Sequence, residues 1–76
     1  MARYTAEKIF SFSDGQDSRV LIVNGGVTVN AWDGQDWVLS DSLTTGTSEL
    51  FTLNTRLKII PDAGSSFYID EGELNA

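Results

Sequence analysis

The sequence predicts an all-β domain, a small antiparallel sandwich or barrel of about six to seven short strands joined by hairpins. Short alternating or β-branched apolar runs recur along the chain, and turn signals separate them at intervals of roughly ten residues. No segment keeps a helical period over the ~11 residues that would indicate a helix. We therefore expect residues 1–76 to form a single β-domain.

The clearest local signal is a hairpin tip between Trp32 and Trp37. The tetrapeptide between them begins Asp33-Gly34. Asp-Gly favours a tight hairpin turn because Gly adopts positive φ without steric cost and Asp can hydrogen-bond to its own backbone. The four residues are expected to form the turn, and in a type I′ geometry Gly34 would have positive φ. The same tetrapeptide at residues 14–17 predicts another turn.

The remaining turn and loop signals divide the chain into an ordered series of strands. Residues 1–6 are predicted to form an N-terminal arm, and residues 71–76 an acidic C-terminal tail. Asn24-Gly25-Gly26 predicts a second tight turn. The polar, Ser- and Thr-rich residues 41–48 predict a loop. Seven strands are then expected, at residues 7–12, 19–24, 27–32, 37–40, 49–53, 56–60 and 67–70.

Side-chain alternation along these strands separates two faces. Residues 20–23 are expected to be buried on both sides, because the run is continuously apolar. The predicted inner set is Phe10, Phe12, Val27, Val29, Ala31, Trp37, Leu39, Leu57, Ile59, Phe67 and Ile69.

A second apolar set has the opposite parity and would be left in water in a lone subunit. Such residues can be isolated exposed side chains or lie under loops. We favour the interpretation that they form a subunit interface with aromatic anchors. The interface candidates are Ile9, Trp32, Val38, Ile60 and Tyr68.

Composition narrows the classes of partner. A net charge of -6 with only five Lys and Arg argues against nucleic acid and disfavours an anionic membrane surface. No apolar run approaches the ~20 residues that span a bilayer. The first residues lack the apolar region of a signal peptide, so we expect a protein that is used without export. Without Cys, this small chain cannot gain stability from disulfides, and partner subunits are the expected source of extra stability.

The sequence offers no catalytic constellation. A Ser or Thr nucleophile needs a positioned base, and in a chain without His only Lys8 or Lys58 could serve. Asp70, Glu71 and Glu73 could form a catalytic carboxylate group, but a terminal tail is a poor place for a carboxyl whose pKa must be raised in a cleft. We predict no enzymatic activity and no cofactor.

The turn carboxylates are the candidates for a metal site, and the aromatic side chains are the candidates for a glycan site. Hairpin chemistry accounts for the four turn carboxylates without calcium, and they lack the longer ligand series of a calcium loop. We therefore predict no metal. The aromatic rings could stack sugars, although strand aromatics more often belong to a core or an interface. The carboxylates are Asp14, Asp17, Asp33 and Asp36, and the rings are Trp32, Trp37 and Tyr68.

One extended pattern resembles a known family. The run GVTVNAWDGQDW at residues 26–37 is followed by TTG at 44–46, LFT at 50–52, RLKI at 56–59 and FYI at 67–69. This succession is similar to that of small β-domains in virion proteins of tailed bacteriophages. Those domains are of the capsid-decoration, head-fibre or tail-accessory type.

The resemblance implies a structural role in the virion, without enzymatic activity, for a protein made in the host cytoplasm. It also implies contact with other virion proteins and self-association, commonly as a homotrimer. A carbohydrate- or receptor-binding β-module is the alternative from another class. A small acidic inhibitor-like cytosolic protein is the third.

Overall fold

The computed structural model describes residues 2–12 and 15–69, and it confirms the all-β class. The acidic tail, Asp14 and Asp70 lie outside the described residues, as do the predictions made for them. Six antiparallel strands are present in the described part: β1 (Ala2–Tyr4), β2 (Lys8–Ser11), β3 (Ser18–Trp32), β4 (Trp37–Phe51), β5 (Arg56–Pro61) and β6 (Ser66–Ile69).

The sheet is built on a long hairpin made by β3 and β4. The two strands pair antiparallel from Ser18 opposite Phe51 to Trp32 opposite Trp37. Along its other side β3 pairs first with β6 and then with β5, also antiparallel. β1 extends the sheet beyond β6, and β2 extends it beyond β5, so that the sheet curls into a half-barrel.

The predicted turn at Asn24-Gly25-Gly26 is wrong, because β3 continues through it. The two apolar runs on either side belong to one strand that pairs with β4 throughout, with a shift of register between Val23 and Gly26. Gly25 has φ of 104°, which explains why glycine stands there. The Asn-Gly signal therefore marks a bulge in a long strand, and at this bulge β3 changes partner from β6 to β5.

The predicted loop at residues 41–48 is also wrong, since these residues form the middle of β4. The loop was predicted from the polar composition of these residues. Thr is β-branched and favours strands, and here this preference decides the structure. A second shift of register lies between Val29 and Asn30 of β3, where Ser40 is the extra residue on β4. No strand was predicted in the N-terminal arm, yet three of its residues form β1.

The turn between β5 and β6 holds the bulge of β3 in place. Asp62 N donates to Gly26 O at 2.9 Å, and Gly26 N donates to Ser65 Oγ at 3.0 Å. From the other side, Gly25 N donates to Thr45 Oγ1 of β4 at 2.8 Å. The backbone groups that the bulge removes from regular pairing are thus satisfied by neighbouring strands.

The core lies on the concave face of the sheet. Eight residues of the predicted inner set are buried there, and Ala31 packs at the margin. Trp37 is half-buried but pairs with Trp32 on the opposite face, so its prediction as an inner residue is wrong. Leu39 is 63% exposed, so its prediction as a core residue is wrong. The buried apolar residues are Phe10, Phe12, Leu21, Val23, Val27, Val29, Leu50, Leu57, Ile59, Phe67 and Ile69.

Aromatic contacts close the core between the two ends of the sheet. Tyr4 of β1 meets Phe10 of β2 edge to face, with 5.5 Å between ring centroids, and it also packs against Phe67 at 5.3 Å. Phe12 stacks on Phe10, and the Arg19 guanidinium lies 4.6 Å from the Phe12 ring centroid. Because β1 and β2 are far apart in the strand order, these contacts hold the curl of the sheet.

Two glycines with positive φ should respond differently to substitution by alanine. A Cβ at Gly34 would meet nothing within 4 Å, so Gly34→Ala should cost only the backbone strain, about 1–2 kcal/mol. A Cβ at Gly25 would clash with the side chain of Ser65, and Gly25→Ala should cost about 1–3 kcal/mol more. Denaturant unfolding at a fixed protein concentration measures both changes. Equal losses of stability in the two variants would contradict the role given to the bulge.

Candidate functional surface

The convex side of the sheet presents a face of mixed apolar and basic residues, which we call the outer face. Cross-strand partners share a face, so the register identifies its members. Trp32 lies opposite Trp37, and the next row runs through Ile9, Lys58 and Asn30 to Leu39 at the edge. Large apolar side chains on this face remain in solvent, with exposed fractions of 48% for Ile9 and 36% for Trp32.

Two basic side chains lie over the indole rings at one end of the outer face. The Trp32 and Trp37 rings meet at 60° with 5.2 Å between centroids. Lys58 Nζ lies 4.8 Å from the Trp37 centroid, and Arg56 Cζ lies 6.0 Å from that of Trp32. Arg56 Nε also donates to Ser11 Oγ at 3.3 Å. Cation–π contacts therefore fix a small positive cluster on a chain whose net charge is -6.

The five predicted interface candidates do not all lie on one face. Ile9, Trp32, Ile60 and Tyr68 belong to the outer face, although Ile60 and Tyr68 are half-buried. Val38 pairs with Ala31 and so shares the face of the core, which corrects its predicted parity. It lies at the open edge of the sheet and is still 49% exposed.

Several exposed apolar residues lie outside the five predicted interface candidates. Val20 and Ile22 are 39% and 38% exposed, so residues 20–23 are buried on one side of the strand and not on both. Leu39 and Phe51 are the most exposed, at 63% and 67%, and both lie on β4. The alternation from residue 20 to residue 23 was compatible with a half-buried strand, but nothing in the sequence marked β4 as an edge strand.

The tip of the β3–β4 hairpin is held by the Asp33 carboxylate. Asp33 Oδ1 accepts from Asp36 N at 2.7 Å and from Gln35 N at 2.8 Å, and Asp33 N donates to Asp36 O at 3.1 Å. Gly34 has φ of 108°, as predicted, but φ at Asp33 is not positive. The turn is therefore a four-residue loop, as predicted, closed by an Asp side chain, and its geometry is not type I′.

The hairpin tip does not gather ligands for a metal in the part of the chain that the structure describes. Within residues 2–12 and 15–69, no group of three or more acidic, Cys or His side chains is close enough to hold an ion. The Asp33 carboxylate is already engaged by backbone N–H groups. What the outer face offers chemically is exposed apolar surface beside fixed positive charge, which is suited to contact with another surface.

Comparison of the chain with protein-family models, with curated proteins and with solved structures gave no match in any of the three. Among the described residues, no helix has the length and apolar character needed to cross a membrane.

The turn at Asp33 should make stability depend on pH in acid. Hydrogen bonds from the backbone of Asp36, and then of Gln35, hold the pKa of the Asp33 carboxyl below its ordinary value. A pKa lowered by folding adds stability that is fully present above the unfolded value, about pH 4, and is lost as the pH falls through the folded value. Asp33→Asn keeps the acceptor oxygen but cannot titrate.

The free energy of unfolding of the wild type and of Asp33→Asn should be compared from neutral pH down to pH values well below the ordinary pKa of Asp, about 4. We expect the wild type to lose stability relative to Asp33→Asn below about pH 4. A constant difference between the two proteins across this range would show that the carboxylate does not hold the turn.

Proposed function

We propose that this chain is a non-catalytic structural protein of a tailed-phage virion, acting by self-association and by attachment to the particle. The single observation that carries the proposal is the amount of apolar surface left in water on a domain of 76 residues whose core is already filled. Seven large apolar side chains are exposed in the described part of one chain. Each forgoes roughly 1.5–3 kcal/mol of burial, which association would recover.

The placement of these residues supports an assembly role over a small-molecule site. They are spread over the convex face and the edge of β4, and the interface candidates Ile9, Trp32 and Val38 are among them. A convex surface suits contact with another protein, whereas small-molecule sites are concave. Closed symmetric oligomers are the usual way to cover such a surface.

The assignment to a virion comes from the sequence pattern at residues 26–37 and its continuation to residue 69. Phage domains with this pattern are commonly homotrimeric, so three subunits are the preferred number. The proposal places the chain in the virion after synthesis in the host cytoplasm. Its proposed partners are further copies of itself and other virion proteins, without nucleic acid, membrane, metal or cofactor.

A carbohydrate- or receptor-binding module is the second candidate, and the paired indoles favour it. Trp32 and Trp37 lie side by side near the hairpin tip, where exposed rings can stack on sugars. Lys58 and Arg56 already lie over those rings, so a sugar would have to displace them. This cost makes assembly the preferred role for the same residues.

Association is tested by light scattering coupled to gel filtration at low micromolar concentration. We expect a mass of about 25 kDa, three times the 8.3 kDa of one chain. Leu39→Asp should give a soluble monomer with an unchanged β-type circular dichroism spectrum, because it places a charge at the exposed edge of β4. Ala63→Asp adds the same charge in the exposed turn between β5 and β6 and should remain oligomeric. A monomeric wild type would contradict the proposal.

Attachment to a particle requires a separate experiment. Particles banded in a density gradient, from cells that express this gene in its native context, should contain the chain in a fixed ratio to the main capsid or tail protein. Washing at high salt separates a bound subunit from a trapped contaminant. A chain recovered only outside the particle band would overturn the virion assignment while leaving self-association intact.

A further inference from the structure

We infer that copies of this chain join edge to edge, with β4 of one copy pairing antiparallel to β2 of the next. This inference rests on the proposed self-association and specifies the surface that performs it. β4 is paired with β3 alone, and β2 with β5 alone, among the described strands. Each thus has one side with backbone N–H and C=O groups available for a further strand.

The open edge of β4 lacks two of the features that commonly prevent pairing between edge strands, basic side chains and proline. Its 15 residues include no Lys, Arg or Pro, and its charged residues are the acidic Asp41 and Glu49. Two of its residues near the Trp hairpin, Val38 and Leu39, are 49% and 63% exposed. An edge strand of this length and composition is a template for another strand.

Strand direction makes the opposite edge of a second copy a suitable partner. β4 and β5 both run antiparallel to β3, and β2 runs antiparallel to β5. Therefore β2 is antiparallel to β4. A second copy that continues the sheet through β2 keeps every pair antiparallel and keeps the outer face of both copies on one side.

The rows of the sheet end in complementary residues at these two edges. One outer row begins at Ile9, which is 48% exposed, and ends at Leu39. The corresponding core-side row begins at Lys8 and ends at Asp41. Continuation of the sheet with Ser40 of β4 again left unpaired, as it is against β3, therefore places Ile9 of one copy beside Leu39 of the next, and Lys8 beside Asp41.

The occupant is thus a second copy of this chain. A pair of β4 edges would bring together strands that carry only acidic charges, at Asp41 and Glu49. The β4–β2 contact instead joins opposite charges and covers exposed apolar side chains on both copies. It is a head-to-tail contact, which ends in a ring when the rotation between copies closes. The proposed trimer is such a ring.

Cysteine cross-linking tests the contact directly in a chain that has no native Cys. In Ile9→Cys/Leu39→Cys the two positions of one chain lie three strand spacings apart, about 14 Å along the sheet. A disulfide needs Cα atoms about 4.4–6.8 Å apart, so it can form only between copies. Mild oxidation should give covalent dimers and trimers, and each single variant should give neither.

Ile9→Cys/Phe51→Cys is the matched control, because Phe51 is exposed at the far end of β4. It should not cross-link. An oligomer without cross-links in Ile9→Cys/Leu39→Cys would overturn the β4–β2 contact and leave self-association standing. A monomeric wild type would overturn both proposals.

A charge exchange gives a second measurement that does not depend on cysteine. Lys8→Asp should place two acidic side chains together and raise severalfold the concentration at which the oligomer half dissociates. Asp41→Lys should weaken the oligomer in the same way, and Lys8→Asp/Asp41→Lys should restore the wild-type value. Failure of the double variant to recover, with its β-type circular dichroism spectrum intact, would count against the contact.

Discussion

The fold depends on the backbone interruption at Gly25 and Gly26 in the middle of β3. One side of this strand serves two partners, and β3 can pass from β6 to β5 only where its pairing is broken. The hydroxyl of Ser65 and the backbone of Asp62 accept and donate the hydrogen bonds that the break leaves open. The change of partner along β3, and with it the place of β5 and β6 in the sheet, follows from this local arrangement.

Most of the fold class and core could be predicted because they depend on local alternation. Leu57, Ile59, Phe67 and Ile69 are buried as their spacing indicated. The extent of β3 and β4 could not be predicted in this way. Asn-Gly-Gly has the same sequence signal whether it forms a hairpin turn or a bulge, and only the pairing with distant strands decides between them.

The candidate surface was predictable in part for a related reason. The alternation of side chains along one strand correctly predicted Ile9 and Trp32 on the outer face. The same alternation could not be carried across the hairpin, and Trp37 and Leu39 were assigned to the wrong face. Trp32 is opposite Trp37, and this register depends on the closure of a four-residue loop. A shift of one residue exchanges the two faces of a strand, so the exposure of Leu39 required knowledge of that loop.

The pairing of β1 with β6 has a consequence for how the domain can be connected to other polypeptides. Ala2 lies directly opposite Ile69, and the two strands are antiparallel. The described chain therefore enters and leaves at neighbouring points of the same sheet edge. Ile69 is also opposite Leu21, close to the start of β3, whereas the Trp hairpin tip is at its end. Polypeptides joined before Ala2 and after Ile69 would therefore lie next to each other and far from Trp32 and Trp37.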